Sequence, residues 1–113
     1  MSEYEAPEEF PRAKRTILFA IDYDGTFSAD PALFRLFVNL LRAHGHESVL
    51  VTGRSDEGPF GAEVKRAVGN LMPIVFAAGD WKKEAAAKAG YKIDVWIDDH
   101  PEYVARQNLV RAT

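Results

Sequence analysis

Four short apolar runs, separated by stretches with helical spacing, constrain the fold of this chain more than any other feature. The first, Thr16 to Ile21, is almost continuously apolar and stops abruptly at Asp22-Tyr23-Asp24-Gly25-Thr26. Ser48 to Thr52 stops at Gly53, Ile74 to Ala77 follows, and Ile93 to Ile97 stops at Asp98-Asp99-His100-Pro101. Uninterrupted runs of strand length fit strands buried on both faces, as in a parallel sheet. Between the first two, Asp30-Pro31 reads as an N-cap and a first-turn proline. Leu33, Phe34, Phe37, Val38, Leu40 and Leu41 then recur at helical spacing up to Gly45. A second helix is expected from Ala62 to about Leu71, with Val64, Val68 and Leu71 on one side. A third should run from Trp81 to Ala89, capped by Asp80 and closed by Gly90. A short last helix is expected over Glu102 to Val110. Strict alternation of strand and helix implies right-handed crossovers. The expected architecture is therefore α/β, a three-layer αβα sandwich with a central parallel sheet.

A chain of 113 residues has room for one domain. Residues 16–113 are assigned to it, and residues 1–15 are read as a flexible N-terminal arm. That arm is polar, holds two prolines and carries the basic cluster Arg12, Lys14 and Arg15. The sequence has no cysteine, which removes disulfides, thiolate zinc sites and a cysteine nucleophile together. This usage fits a cytoplasmic setting best. A net charge of −3 gives no global electrostatic case for nucleic-acid binding. The apolar runs are too short to span a bilayer, and the acidic start is unlike a signal peptide.

Open parallel sheets bind ligands at the carboxyl ends of their strands, and the polar residues gather at those ends here. The first run delivers Asp22 and Asp24, the second Thr52, and the fourth Asp98 and Asp99; Lys82 and Lys83 begin the helix after the third. Carboxylates focused on one small site repel one another unless a cation sits among them. Hard oxygen ligands without sulfur or clustered histidine point to Mg²⁺ rather than zinc. Carboxylate-bound Mg²⁺ is the usual partner of phosphate chemistry.

These residues resemble, in order and at matching strand ends, the four motifs of the haloacid-dehalogenase-like superfamily of Rossmannoid hydrolases. Asp22-Tyr23-Asp24-Gly25-Thr26 is similar to its DxDGT motif, Thr52 to the second, Lys82 or Lys83 to the third, and Asp98-Asp99 to the fourth. The resemblance spans roughly residues 16–101. It implies a phosphatase in which Asp22 attacks phosphorus and Asp24 serves as general acid and base. Gly25, Thr52, Gly53 and Lys82 would handle the phosphoryl group. Mg²⁺ would be held by the Asp22 side chain, the Asp24 backbone carbonyl and Asp99, with Asp98 orienting Lys82 or a metal-bound water. Adjacent residues lie about 100° apart on a helix, so only one lysine can face the site; Lys82 is favoured because its distance to Gly90 and the acidic pair resembles that in capless relatives. Relatives often insert a cap domain, yet one helix and one strand fill each gap where it would stand. A capless, open site fits a phosphorylated substrate that is macromolecular or a nucleotide, or coverage by a second subunit. The chain is accordingly expected to be a monomer or a homo-oligomer.

Blander readings exist for each element. Asp-Gly is a frequent turn, a threonine often ends a strand for structural reasons, and first-turn lysines are usually solvated. The two tryptophans read as packing residues, and Arg54 could reach a phosphate or a base. A receiver-like signalling domain also has an acidic pocket with Thr and Lys, but its acceptor Asp follows the third strand, where Ile74 to Ala77 offers none. A catalytically restricted or inactive binding or regulatory protein, or a nucleotidase or polynucleotide-end phosphatase of narrow specificity, completes the alternatives.

Overall fold

The computed structural model of the protein describes residues 13–106. Its strands are β1 (Leu18–Ile21), β2 (Glu47–Thr52), β3 (Ile74–Phe76) and β4 (Val95–Ile97), and its helices α1 (Pro31–Ala43), α2 (Gly58–Val68) and α3 (Lys82–Lys88). The four strands form one parallel sheet in the order β3-β2-β1-β4. β1 and β2 are central, which explains their apolar runs: Ala20, Ile21, Val49 and Leu50 are fully buried.

The path from β1 through β2 to β3 moves one way across the sheet, and the step from β3 to β4 moves back past β1. Crossovers of one hand must then lay their helices on opposite faces. They do. Val38 of α1 and Val64 and Val68 of α2 pack with Ile21 and Leu50 in one cluster. Ala86 of α3 packs with Ala20, Val49, Val51 and Val75 in the other, where Trp96 also lies. The αβα sandwich is thus a Rossmann-like, doubly wound domain, and the sheet's change of direction falls where β1 meets β4.

α1 begins as expected, with Asp30 Oδ1 accepting the Leu33 N–H at 3.1 Å. α2 begins at Gly58, earlier than Ala62, because a proline in the first turn needs no N–H partner there. Trp81, not Asp80, stands at the N-cap of α3, and it makes no side-chain cap bond. Asp80 belongs to the preceding turn, its N–H donating to Ala77 O. β4 is shorter than Ile93 to Ile97, since the Asp94 side chain leaves the strand pattern to accept the Leu18 N–H at 2.9 Å. In place of a helix from Glu102 there is a single 3₁₀ turn, Pro101–Tyr103. The Val104 carbonyl is taken by the Lys83 N–H at 2.8 Å, which ties this segment to the start of α3. Residues 107–110 of that expected helix, and residues 1–12 of the expected arm, lie outside the described residues. Among the described residues, no helix is long and apolar enough to cross a membrane.

Candidate active site

β1 hands the chain directly to the site. The Asp22 N–H still bonds to Ile97 O of β4 at 3.0 Å, so this residue stands at the last rung of the central ladder. The chain then coils back: Phe27 N–H donates to Asp22 O and Ser28 N–H to Tyr23 O. Phe27 is fully buried beneath this turn and anchors it to the core. Gly25 has φ +77°, a conformation that favours glycine. A Cβ there would come within 3.0 Å of Asp99 Cγ and overlap its carboxylate. Glycine therefore suits both the turn and the close approach of the Asp99 side chain.

Asp22 is almost fully buried, and so is Lys82. The Lys82 Nζ donates to Asp22 Oδ1 at 2.7 Å and to Asp98 Oδ2 at 2.6 Å. Lys82, rather than the exposed Lys83, reaches the acids. Asp98 is fixed from its other side as well, Oδ1 accepting the His100 N–H at 2.9 Å. Thr26 Oγ1 stands 3.3 Å from both Asp22 Oδ2 and Asp99 Oδ1, within donating distance of either. Carboxylate oxygens of Asp22, Asp98 and Asp99 all lie within 4.8 Å of one another. Burial pushes the Asp22 carboxyl up to about 6; the Lys82 ammonium opposes the rise and the neighbouring Asp99 adds to it. For Lys82, burial alone would lower the pKa, but its bonds to Asp22 and Asp98 prevail and hold it above the usual lysine value.

Three carboxylates against one ammonium leave this spot short of positive charge. An all-oxygen donor set of this kind fits a hard divalent cation, and Asp22 and Asp99, with Asp98 beside them, are the groups that could hold it. The Asp24 carboxylate is not part of the cluster. It turns to Arg54, which donates from Nε at 3.0 Å and from Nη2 at 2.7 Å. Arg54 is itself held by Phe60 O at 2.9 Å and Glu63 at 3.0 Å, and its guanidinium lies 5.1 Å from the Tyr23 ring centroid. Sequence reasoning left Arg54 open to a phosphate or a base and missed its pairing with Asp24.

These groups border a cavity of about 460 Å³, into which Asp22, Asp24, Gly53, Arg54, Lys82 and Asp98 project. Thr52 is fully buried, and its Oγ1 accepts the Arg54 N–H at 3.2 Å, fixing the turn that presents Gly53. Two features escaped the sequence reading. Thr26 lies inside the first motif, four residues after Asp22, and could have been found as one turn's reach. Trp81, assigned to packing, instead lines the cavity with Tyr103, and nothing in residue spacing marks that. Comparison with protein-family models, with curated proteins and with solved structures gives no match.

Proposed function

We propose that the protein is a Mg²⁺-dependent phosphomonoesterase of the haloacid-dehalogenase-like kind, working through an aspartyl-phosphate on Asp22. One observation carries the reading: a buried lysine bridges Asp22 and Asp98 within a three-carboxylate cluster, at a strand end that opens into a cavity. A cluster built for structure alone gains little from such an arrangement, since buried ion pairs repay their desolvation poorly.

In the first step an Asp22 oxygen attacks phosphorus, the bond to the ester oxygen breaks, and that oxygen takes a proton from Asp24. Water then attacks the same phosphorus, its proton passes to Asp24, and the bond to Asp22 breaks to release inorganic phosphate. Lys82 offsets negative charge at the nucleophile and on the transferring group, and Gly53 lets backbone approach it. Mg²⁺, when bound by Asp22, Asp99 and the Asp24 carbonyl, supplies further neutralisation of the phosphoryl oxygens. Asp24 has both oxygens engaged as acceptors by Arg54, so one must come off before it can donate a proton.

Hydrolysis of an aryl phosphate, measured with Mg²⁺, with EDTA and in Asp22→Asn, tests the proposal. Turnover that needs the metal and vanishes in the variant is expected; turnover that persists in Asp22→Asn would rule the mechanism out. The grip of Arg54 on Asp24 favours one second reading, a domain that binds Mg²⁺ and phosphate without turnover. Metal binding with no hydrolysis of any phosphoester would establish it.

Gly25→Ala separates the metal from the fold. The flexible end of Asp99 can yield to the new Cβ, so the structural cost is confined to the positive φ, about 1–2 kcal/mol. Displacing a ligand group is expected to weaken Mg²⁺ binding about 10–100-fold. Calorimetric titration of Mg²⁺ against a thermal melt of the same variant reads both effects.

A further inference from the structure

The proposed chemistry accounts for the floor of the cavity but leaves its wall unexplained. Trp81, His100 and Tyr103 line the cavity beside the acids. Their placement is built into the fold. Trp81 holds the N-cap of α3, and the 3₁₀ turn after β4 carries Tyr103. The Lys83 N–H bond to Val104 O buckles the two segments together, and Val104 is buried under them. The His100 and Tyr103 rings lie 5.5 Å apart between centroids, and His100 is steadied by Glu102 at 2.9 Å. Yet Tyr103 remains 59% exposed, so most of its side chain is not used for packing.

A wall of flat side chains beside a phosphate-handling floor matches a phosphomonoester that carries a planar ring. Asp80 narrows the class. It lines the same cavity; its Oδ2 stands 3.9 Å from Lys88 Nζ, and its other carboxylate oxygen can still accept from a ligand that offers donors. A ribose diol or a base amino group does so. The volume, about 460 Å³, is within the range of small-molecule pockets, about 300–1,000 Å³. We infer that the substrate is a ribonucleoside monophosphate, its phosphate on Asp22 and its base against Trp81 and Tyr103. This inference rests on the phosphomonoesterase reading for the chemistry, but not for the binding.

Two measurements test it. The first compares kcat/KM, with Mg²⁺, for a set of nucleoside 5′-monophosphates, ribose 5-phosphate, phosphotyrosine and an aryl phosphate. At least one nucleotide is expected to exceed ribose 5-phosphate by roughly 5–100-fold, the scale of one base–aromatic stack. Trp81→Leu and Tyr103→Ala should each shrink that ratio. Equal use of ribose 5-phosphate, a preference for phosphotyrosine, or a ratio unmoved by both substitutions would overturn the inference. So would hydrolysis of the aryl phosphate alone, which would leave the phosphatase reading standing. The second uses Trp96→Phe, which keeps Trp81 as the one tryptophan of the chain. Nucleoside monophosphate should quench its fluorescence and ribose 5-phosphate should not. If nothing is hydrolysed, the phosphatase reading fails and this titration decides the binding: quenching sustains it, and its absence overturns it.

Discussion

Asp22→Asn is expected to abolish turnover and, in metal-free protein at neutral pH, to raise the unfolding midpoint. The two effects share one cause. Loss of the nucleophile removes the covalent route, a fall of at least about 10⁴-fold in kcat. The stability gain follows from the pKa. The Asp22 carboxyl stands at about 6 in the folded protein against 3.8 for an ordinary aspartate, because burial disfavours its charge. An acid whose folded pKa is raised binds its proton more tightly when native. Its contribution to stability is therefore fully present below about pH 4 and is lost as pH rises to about 6. Above that the charged form costs on the order of 1–3 kcal/mol, which the neutral amide avoids. Thermal melts from pH 4 to 8 should show a decline in the wild type over that window and less of one in Asp22→Asn. Saturating Mg²⁺ should reverse the order, since only the intact cluster gains by binding it tightly.

Lys82→Met carries the second large effect, of opposite sign for stability. The methionine fits the space of the stem but leaves Asp22 and Asp98 buried together without their cation. Removing one partner from a buried ion network costs about 3–5 kcal/mol, a large share of the total stability of a domain this size, of order 5–15 kcal/mol. Denaturant midpoints of the metal-free protein should fall accordingly at pH 7. They should recover in part at pH 5, where Asp22 takes up a proton. kcat should drop by about 10²–10³-fold or more, as when a group that stabilises transferring charge is removed. Lys82→Arg is not expected to restore it, because a planar fork cannot replace a point charge seated between two carboxylates.

The central strands were legible in the sequence because burial on both faces writes itself as unbroken apolar runs; Val49 to Val51 could hardly be anything else. Edge features were less so. β4 loses Ile93 and Asp94 because a side chain, Asp94, takes over a bond that the strand would have made. α2 gains its first turn where Gly58-Pro59-Phe60 looked like a loop, since Phe60 is exposed and adds nothing to an apolar periodicity. Within the described part of the expected last helix, Pro101–Tyr103 form a 3₁₀ turn and Val104 gives its carbonyl to α3.

The candidate site divides in the same way. Asp22, Asp98, Asp99 and Lys82 could be placed together from strand ends alone, because the carboxyl edge of a parallel sheet brings such positions to one rim. Lys82 was favoured over Lys83 by resemblance, and α3, which starts at Lys82, turns that lysine to Asp22. Which partner each carboxylate takes depends on side-chain direction, and spacing does not encode that. The bond of Asp24 to Arg54 joins residues from two different strand ends, so no local pattern announces it. The same holds for the aromatic wall, assembled from two segments that only a backbone bond brings together.

The most direct measurement is a search for phosphate on Asp22. The protein, and an Asp24→Asn variant, would be incubated with Mg²⁺ and an aryl phosphate, whose leaving group departs without the Asp24 proton so that mainly the second step is slowed, then quenched in acid and digested. The account predicts that the peptide carrying Asp22 gains the mass of one phosphoryl group, and more of it in Asp24→Asn. Active protein whose Asp22 peptide never carries that mass, in either form, would contradict it.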